Sequence, residues 1–112
     1  MKKLFLLLLI LLPLIICSCN LNTDTRSVKV RLVNWNPFSI YLRIDKEKTV
    51  HQIYAETQMT IEGYFFGEHT LYIYCAQNPE VKKMTIYVPY DAVVKEFDIF
   101  YNPDKEIYKI YD

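Results

Sequence analysis

From Ser27 onward, apolar and polar residues alternate with a period of two almost without interruption, the spacing of half-buried strands rather than helices. Val28, Val30 and Leu32 alternate with Lys29 and Arg31, which predicts a first strand over Val28–Asn34. Trp35-Asn36-Pro37 reads as a turn, because proline cannot donate to a ladder. A second strand over Phe38–Asp45 sets Phe38, Ile40, Leu42 and Ile44 against Ser39, Tyr41, Arg43 and Asp45. A weaker strand over Thr49–Tyr54 and another over Gln58–Glu62 follow the charged turn at Asp45-Lys46-Glu47-Lys48. A fifth is expected over Glu68–Cys75, with Leu71, Ile73 and Cys75 on one side. A sixth, over Val81–Val88, follows a turn at Gln77-Asn78-Pro79-Glu80 and turns Met84, Ile86 and Val88 inward. A seventh, over Val93–Tyr101, turns Phe97 and Ile99 inward. Asn102-Pro103-Asp104-Lys105 is a strong turn signal, and a last strand is expected over Glu106–Tyr111.

No 3.6-residue stripe competes with this reading, and β-branched and aromatic residues dominate. Seven to eight short strands joined by short connections predict an all-β fold, a small antiparallel β-sandwich. An outer-membrane barrel fits less well. Its strands need an uninterrupted apolar outer face of about 9–11 residues, and here the outer faces carry Lys, Arg and Glu.

The first residues are of another kind. Lys2-Lys3 precede Leu4 to Ile16, a run with no charge and one proline, Pro13. The run is too short to span a bilayer, which takes about 20 apolar residues, and has the length of a signal h-region. It ends in Ile16-Cys17-Ser18-Cys19, which resembles the lipobox of bacterial lipoproteins. The resemblance implies cleavage before Cys19 and attachment of diacylglycerol to its sulfur. Cys17 has Ile16, not a small residue, before it and falls within the discarded peptide. The implied organisation is a signal peptide at 1–18, a lipidated Cys19 and polar tether at 19–26, and one domain at 27–112. Acyl chains would hold that domain on a membrane of a bacterial cell envelope, at the periplasmic face or cell surface, since two or more chains anchor stably.

Cleavage would leave 112 − 18 = 94 residues, with 11 basic and 13 acidic side chains. That is enough for one independently folding domain. A formal charge of 11 − 13 = −2, with no basic cluster, argues against nucleic acid and against electrostatic docking on anionic lipid. Only Cys75 would remain as a free thiol. The domain therefore needs no disulfide, and Cys75, at the end of an alternating strand, reads as a small buried hydrophobe. A monomer is expected.

Within the domain, Ile40-Tyr41-Leu42-Arg43-Ile44-Asp45, Met59-Thr60-Ile61-Glu62 and Gly67-Glu68-His69-Thr70-Leu71-Tyr72-Ile73 form a second pattern. It is similar to the PEGA-like modules of bacterial surface proteins and lipoproteins, with Lys46 where those have the glycine of an Asp-Gly pair. The resemblance implies an immunoglobulin-like or transthyretin-like sandwich without established activity. It also implies that His69 fixes the turn into its strand.

Candidate chemistry is sparse. His51 and His69 are the only histidines, too few for a zinc site, which takes three or four close ligands. Glu96 and Asp98 share an outer face about 7 Å apart along their strand, a spacing open to a carboxylate pair but more simply a solvated face. Serine-nucleophile and phosphate-loop signatures are missing, and Gly63 and Gly67 are the only glycines. No enzyme, cofactor or metal is expected. The oddity is aromatic: ten Tyr, six Phe and one Trp. Tyr41, Tyr72, Tyr74 and Tyr87 fall opposite the aliphatic faces of their strands. Brought together, they would form a surface suited to a protein or an envelope polysaccharide; otherwise they would only pair across the sheet. The expected function is therefore a lipid-anchored binding module. An envelope-anchored inhibitor of a lysozyme-type hydrolase is the alternative.

Overall fold

The computed structural model describes residues 26–112. The signal segment, Cys17, Cys19 and the tether before Arg26 lie outside them. Among the described residues there is no helix long and apolar enough to cross a membrane, and eight strands form: β1 Val28–Asn34, β2 Ile40–Ile44, β3 His51–Ile53, β4 Gln58–Gly63, β5 Gly67–Cys75, β6 Asn78–Val88, β7 Val94–Asn102 and β8 Ile107–Tyr111. They build two four-stranded sheets, β4-β1-β7-β8 and β3-β2-β5-β6, packed as a sandwich. The expected fold class holds.

The alternation decides which side chains fill the space between the sheets. Val28, Val30 and Leu32 of β1, with Phe97 and Ile99 of β7, meet Ile40, Leu42 and Ile44 of β2 and Leu71, Ile73 and Cys75 of β5 in one buried core. Cys75 is a free thiol, fully buried. Each such aliphatic contributes about 1.5–3 kcal/mol on burial, so apolar packing carries the fold.

Five of the six strand pairings are antiparallel and one is parallel, between β1 and β7. β1 and β2 lie in different sheets. That departs from the immunoglobulin order, where the first two strands pair. The crossing from β1 to β2 is held by two buried asparagines. Asn34 Nδ2 donates to the carbonyls of Phe38, Ile53 and Tyr54 at 2.8, 3.0 and 3.2 Å. Asn34 Oδ1 accepts from the backbone N–H and side-chain amide of Asn36, and Asn36 Oδ1 accepts from the Tyr101 N–H at 2.9 Å. These bonds pair the Asn36 and Tyr101 N–H groups and the Phe38, Ile53 and Tyr54 carbonyls where the chain leaves one sheet for the other.

β6 begins earlier than the sequence suggests, at Asn78 rather than Val81. Cys75 faces Asn78 across a two-residue turn, and the register then shifts so that Ile73 faces Lys82. Pro79 sits in that irregularity on an edge strand, where its missing N–H breaks no ladder.

Candidate functional site

The outer face of the β3-β2-β5-β6 sheet carries the expected tyrosines, and register decides which of them meet. Tyr41 of β2 is directly opposite Tyr74 of β5, and Arg43 is opposite Tyr72. The Tyr41 and Tyr74 rings stack with centroids 5.1 Å apart and planes 14° from parallel. The Arg43 guanidinium carbon lies 4.2 Å from the centre of the Tyr72 ring. Arg43 is held there by its own turn, since Nη1 donates to the carbonyls of Asp45 and Glu47. Lys83 of β6 follows Tyr72 in the same row, and Gln52 of β3 flanks Tyr41. Tyr41, Tyr72 and Tyr74 are half-buried.

Tyr87 does not join them. It faces Glu68 and lies four residues along β6 from Lys83, about 13 Å away. The expected set of four thus divides into a contiguous trio with Arg43 and a separate, exposed Tyr87. Stacking also uses one face of each ring in the Tyr41–Tyr74 pair, and Arg43 covers one face of Tyr72. The patch thus combines half-buried rings, each with one face already taken, with a guanidinium.

His69 is bound on both sides. Its Nδ1 lies 2.7 Å from Asp45 Oδ2, and its Nε2 lies 3.1 Å from the Phe66 carbonyl. Phe65 stacks on the imidazole at 3.7 Å. Asp45 Oδ1 accepts the Thr70 N–H at 2.8 Å, while Asp45 takes a positive φ of 51°, a conformation aspartate tolerates. Burial raises the Asp45 carboxyl, but the bonds from His69 and the Thr70 N–H outweigh it and hold the group below its ordinary value. The arrangement joins an acid to an imidazole whose two ring nitrogens both have a partner. Its chemical effect is to tie the end of β2 to the start of β5. His51 Nε2 lies 3.2 Å from Glu47 Oε2. Among the described residues no three His, Cys, Asp or Glu converge as metal ligands.

Glu96 and Asp98 do share the outer face of β7, but Asp98 is engaged: its Oδ1 accepts from Trp35 Nε1 at 2.9 Å. Asp98 lies opposite Tyr111, and Phe100 lies opposite Lys109. The Phe100 and Tyr111 rings meet edge to face at 5.6 Å. Trp35, Asp98, Tyr111 and Phe100 thus form a second aromatic strip, on the β4-β1-β7-β8 sheet. It is more open than the first, with Trp35 and Tyr111 52% and Phe100 42% exposed. Beside it runs a cleft of about 380 Å³ lined by Phe100, Tyr101, Asn102, Lys109 and Tyr111. Sequence reasoning missed this strip. The parity of Phe100 with Glu96 and Asp98 was a usable signal, but the partner strand that supplies Tyr111 was not visible without the register.

No protein-family model matches this chain, and it has no significant match among curated proteins or solved structures.

Proposed function

We propose that the chain is a lipid-anchored, non-enzymatic module of a bacterial cell envelope, tethered through Cys19, that binds a protein through the patch formed by Tyr41, Tyr72, Tyr74 and Arg43. The observation that carries this reading is the continuity of the Tyr41–Tyr74 stack with the Arg43–Tyr72 pair on one outward sheet face. Tyrosine and arginine are the residues enriched at protein interfaces and their energetic centres. Here both are already ordered, which lowers the entropy cost of association. The PEGA-like pattern supports the same class of module, and the lipobox supports its address.

A second reading, an envelope polysaccharide as ligand, is favoured by a different observation. A sugar ring stacks on an open aromatic face, and the exposed rings beside a cleft are Phe100 and Tyr111, not the stacked tyrosines.

One set of variants tests both. Tyr41→Ser/Tyr72→Ser/Tyr74→Ser should abolish capture of an envelope protein, and Phe100→Ala/Tyr111→Ala should abolish co-sedimentation with insoluble envelope polysaccharide. Loss of neither by its own variant removes the corresponding reading. A lysozyme-inhibition assay on the same proteins separates both from the inhibitor alternative. Cys19→Ala should abolish acyl labelling and release the chain to the soluble fraction, and Cys17→Ala should do neither.

A further inference from the structure

Three residues on two loops surround the point where the chain enters the sandwich. Tyr64 follows β4, whose Gly63 pairs with Val28 at the start of β1. Val93 precedes β7, and its carbonyl accepts the Lys29 N–H at 3.0 Å. Tyr90 lies between β6 and β7, and its carbonyl accepts from Arg26 Nη1 at 3.1 Å. All three are open to solvent: Val93 76%, Tyr64 56% and Tyr90 50% exposed.

The rings are fixed from below. Phe66 meets Tyr64 edge to face at 5.0 Å and Tyr90 in a stack at 5.9 Å, and the Arg26 guanidinium lies 5.5 Å from the Phe66 centre. Gly67 is the floor under Tyr90. Its φ is +89°, and a Cβ there would stand 3.0 Å from the Tyr90 hydroxyl, so another residue would displace the ring.

We infer that this end of the sandwich is a membrane-contact surface, with Tyr64, Tyr90 and Val93 resting in the interfacial layer of the bilayer that holds the chain. The inference rests on the proposed acylation of Cys19. Arg26 stands only 26 − 19 = 7 positions after that cysteine. A spacing of seven positions reaches at most about 25 Å, so the anchor keeps this end near the surface at a high effective concentration. Tyrosine, apolar in body and polar at the tip, is a residue of membrane interfaces. β1 runs away from this end, and its seven residues put Trp35 about 23 Å farther off. The aromatic strip at Trp35, Phe100 and Tyr111 would then face away from the bilayer.

The chain carries its own control, because Trp35 is its only tryptophan. The full acylated chain is reconstituted in phosphatidylethanolamine–phosphatidylglycerol vesicles whose acyl chains are brominated, and tryptophan quenching is read alongside acyl labelling. Tyr90→Trp in a Trp35→Phe background should be blue-shifted and quenched about twofold, as a ring in the interface would be, whereas Trp35 of the unaltered chain should be barely quenched. Val93→Trp in the same background reads the same surface if Tyr90→Trp fails to fold. An unquenched tryptophan at both positions in a chain that takes the acyl label overturns the inference and leaves the anchor standing. Equal quenching of Trp35 also overturns it, since the domain would then lie on its side. A chain that takes no acyl label removes the anchor and this inference together.

Discussion

Asn34 is fully buried at the end of β1, and its side-chain amide meets three carbonyls and the Asn36 amides at once. Asn34→Ala would take this donor from the Phe38 and Ile53 carbonyls and the acceptor from Asn36, while the Tyr54 carbonyl keeps the Thr57 N–H and hydroxyl. At about 1–3 kcal/mol for an unsatisfied buried polar group, the substitution should cost about 3 kcal/mol or more in a urea melt, whereas Trp35→Ala, at the adjacent exposed position, should cost far less. Asp45 contributes differently, through a folded-state carboxyl held below its ordinary value. The unfolded chain binds a proton there more readily than the folded one. The stabilisation is therefore fully present above the ordinary aspartate value near 3.9 and is lost as pH falls through the lower folded-state value. In melts of wild type and Asp45→Asn across pH 7 to pH 2, the gap between the two should stay wide down to about pH 4 and close below it. A gap that does not narrow at the acid end would mean that the His69 and Thr70 contacts do not favour the charged form.

At the scale of elements, register turns single residues into pairs. Tyr41 and Tyr74 lie 33 positions apart in the chain and stack only because β2 and β5 are hydrogen-bonded neighbours. A double-mutant cycle on Tyr41→Ser and Tyr74→Ser should give a coupling of about 0.5–1.5 kcal/mol. A coupling near zero would mean that the rings do not stack in solution, and the ordered patch would lose its physical basis. The four edge strands are each blunted against pairing with another chain. β3 has three residues and β8 five, β8 carries Lys109, and β6 carries Pro79, Lys82 and Lys83. β4 presents Gln58, Thr60 and Glu62 on its outer side. Short, charged or proline-bearing edges resist edge-to-edge association.

For the whole molecule, these edges and the undivided core predict a monomer whose stability depends on neither metal nor disulfide. A chain beginning at Leu21 should elute as a monomer, show a β-type circular dichroism spectrum, and melt at the same temperature with or without reductant and chelator. A melting temperature lowered by chelator would place a metal in a fold whose described residues gather no ligand set. The two aromatic surfaces lie on opposite sheets, and the Tyr64–Tyr90–Val93 tips lie at the end where the chain enters. One small sandwich thus keeps these three surfaces apart by geometry alone.

The period-two pattern by itself determined the strands and their inward residues. A side chain on a pleated strand has only two directions, and burial selects one of them. That is why the alternation alone assigns Val30, Leu42, Ile73 and Ile99 to the core. The same parity put Tyr41, Tyr72, Tyr74 and Tyr87 outside. What parity does not carry is the identity of the neighbour across the ladder, because pairing joins residues remote in the chain. Only the tertiary structure decided that Tyr74 stands beside Tyr41, that Tyr87 stands apart, and that Tyr111 meets Phe100. It alone also showed that Asn34, a strand end by sequence, and Asn36, a turn residue by sequence, are buried where β1 crosses to the other sheet. A buried amide is stable there because carbonyls from β3 and its following turn converge on it, and that convergence exists only once the two sheets have packed.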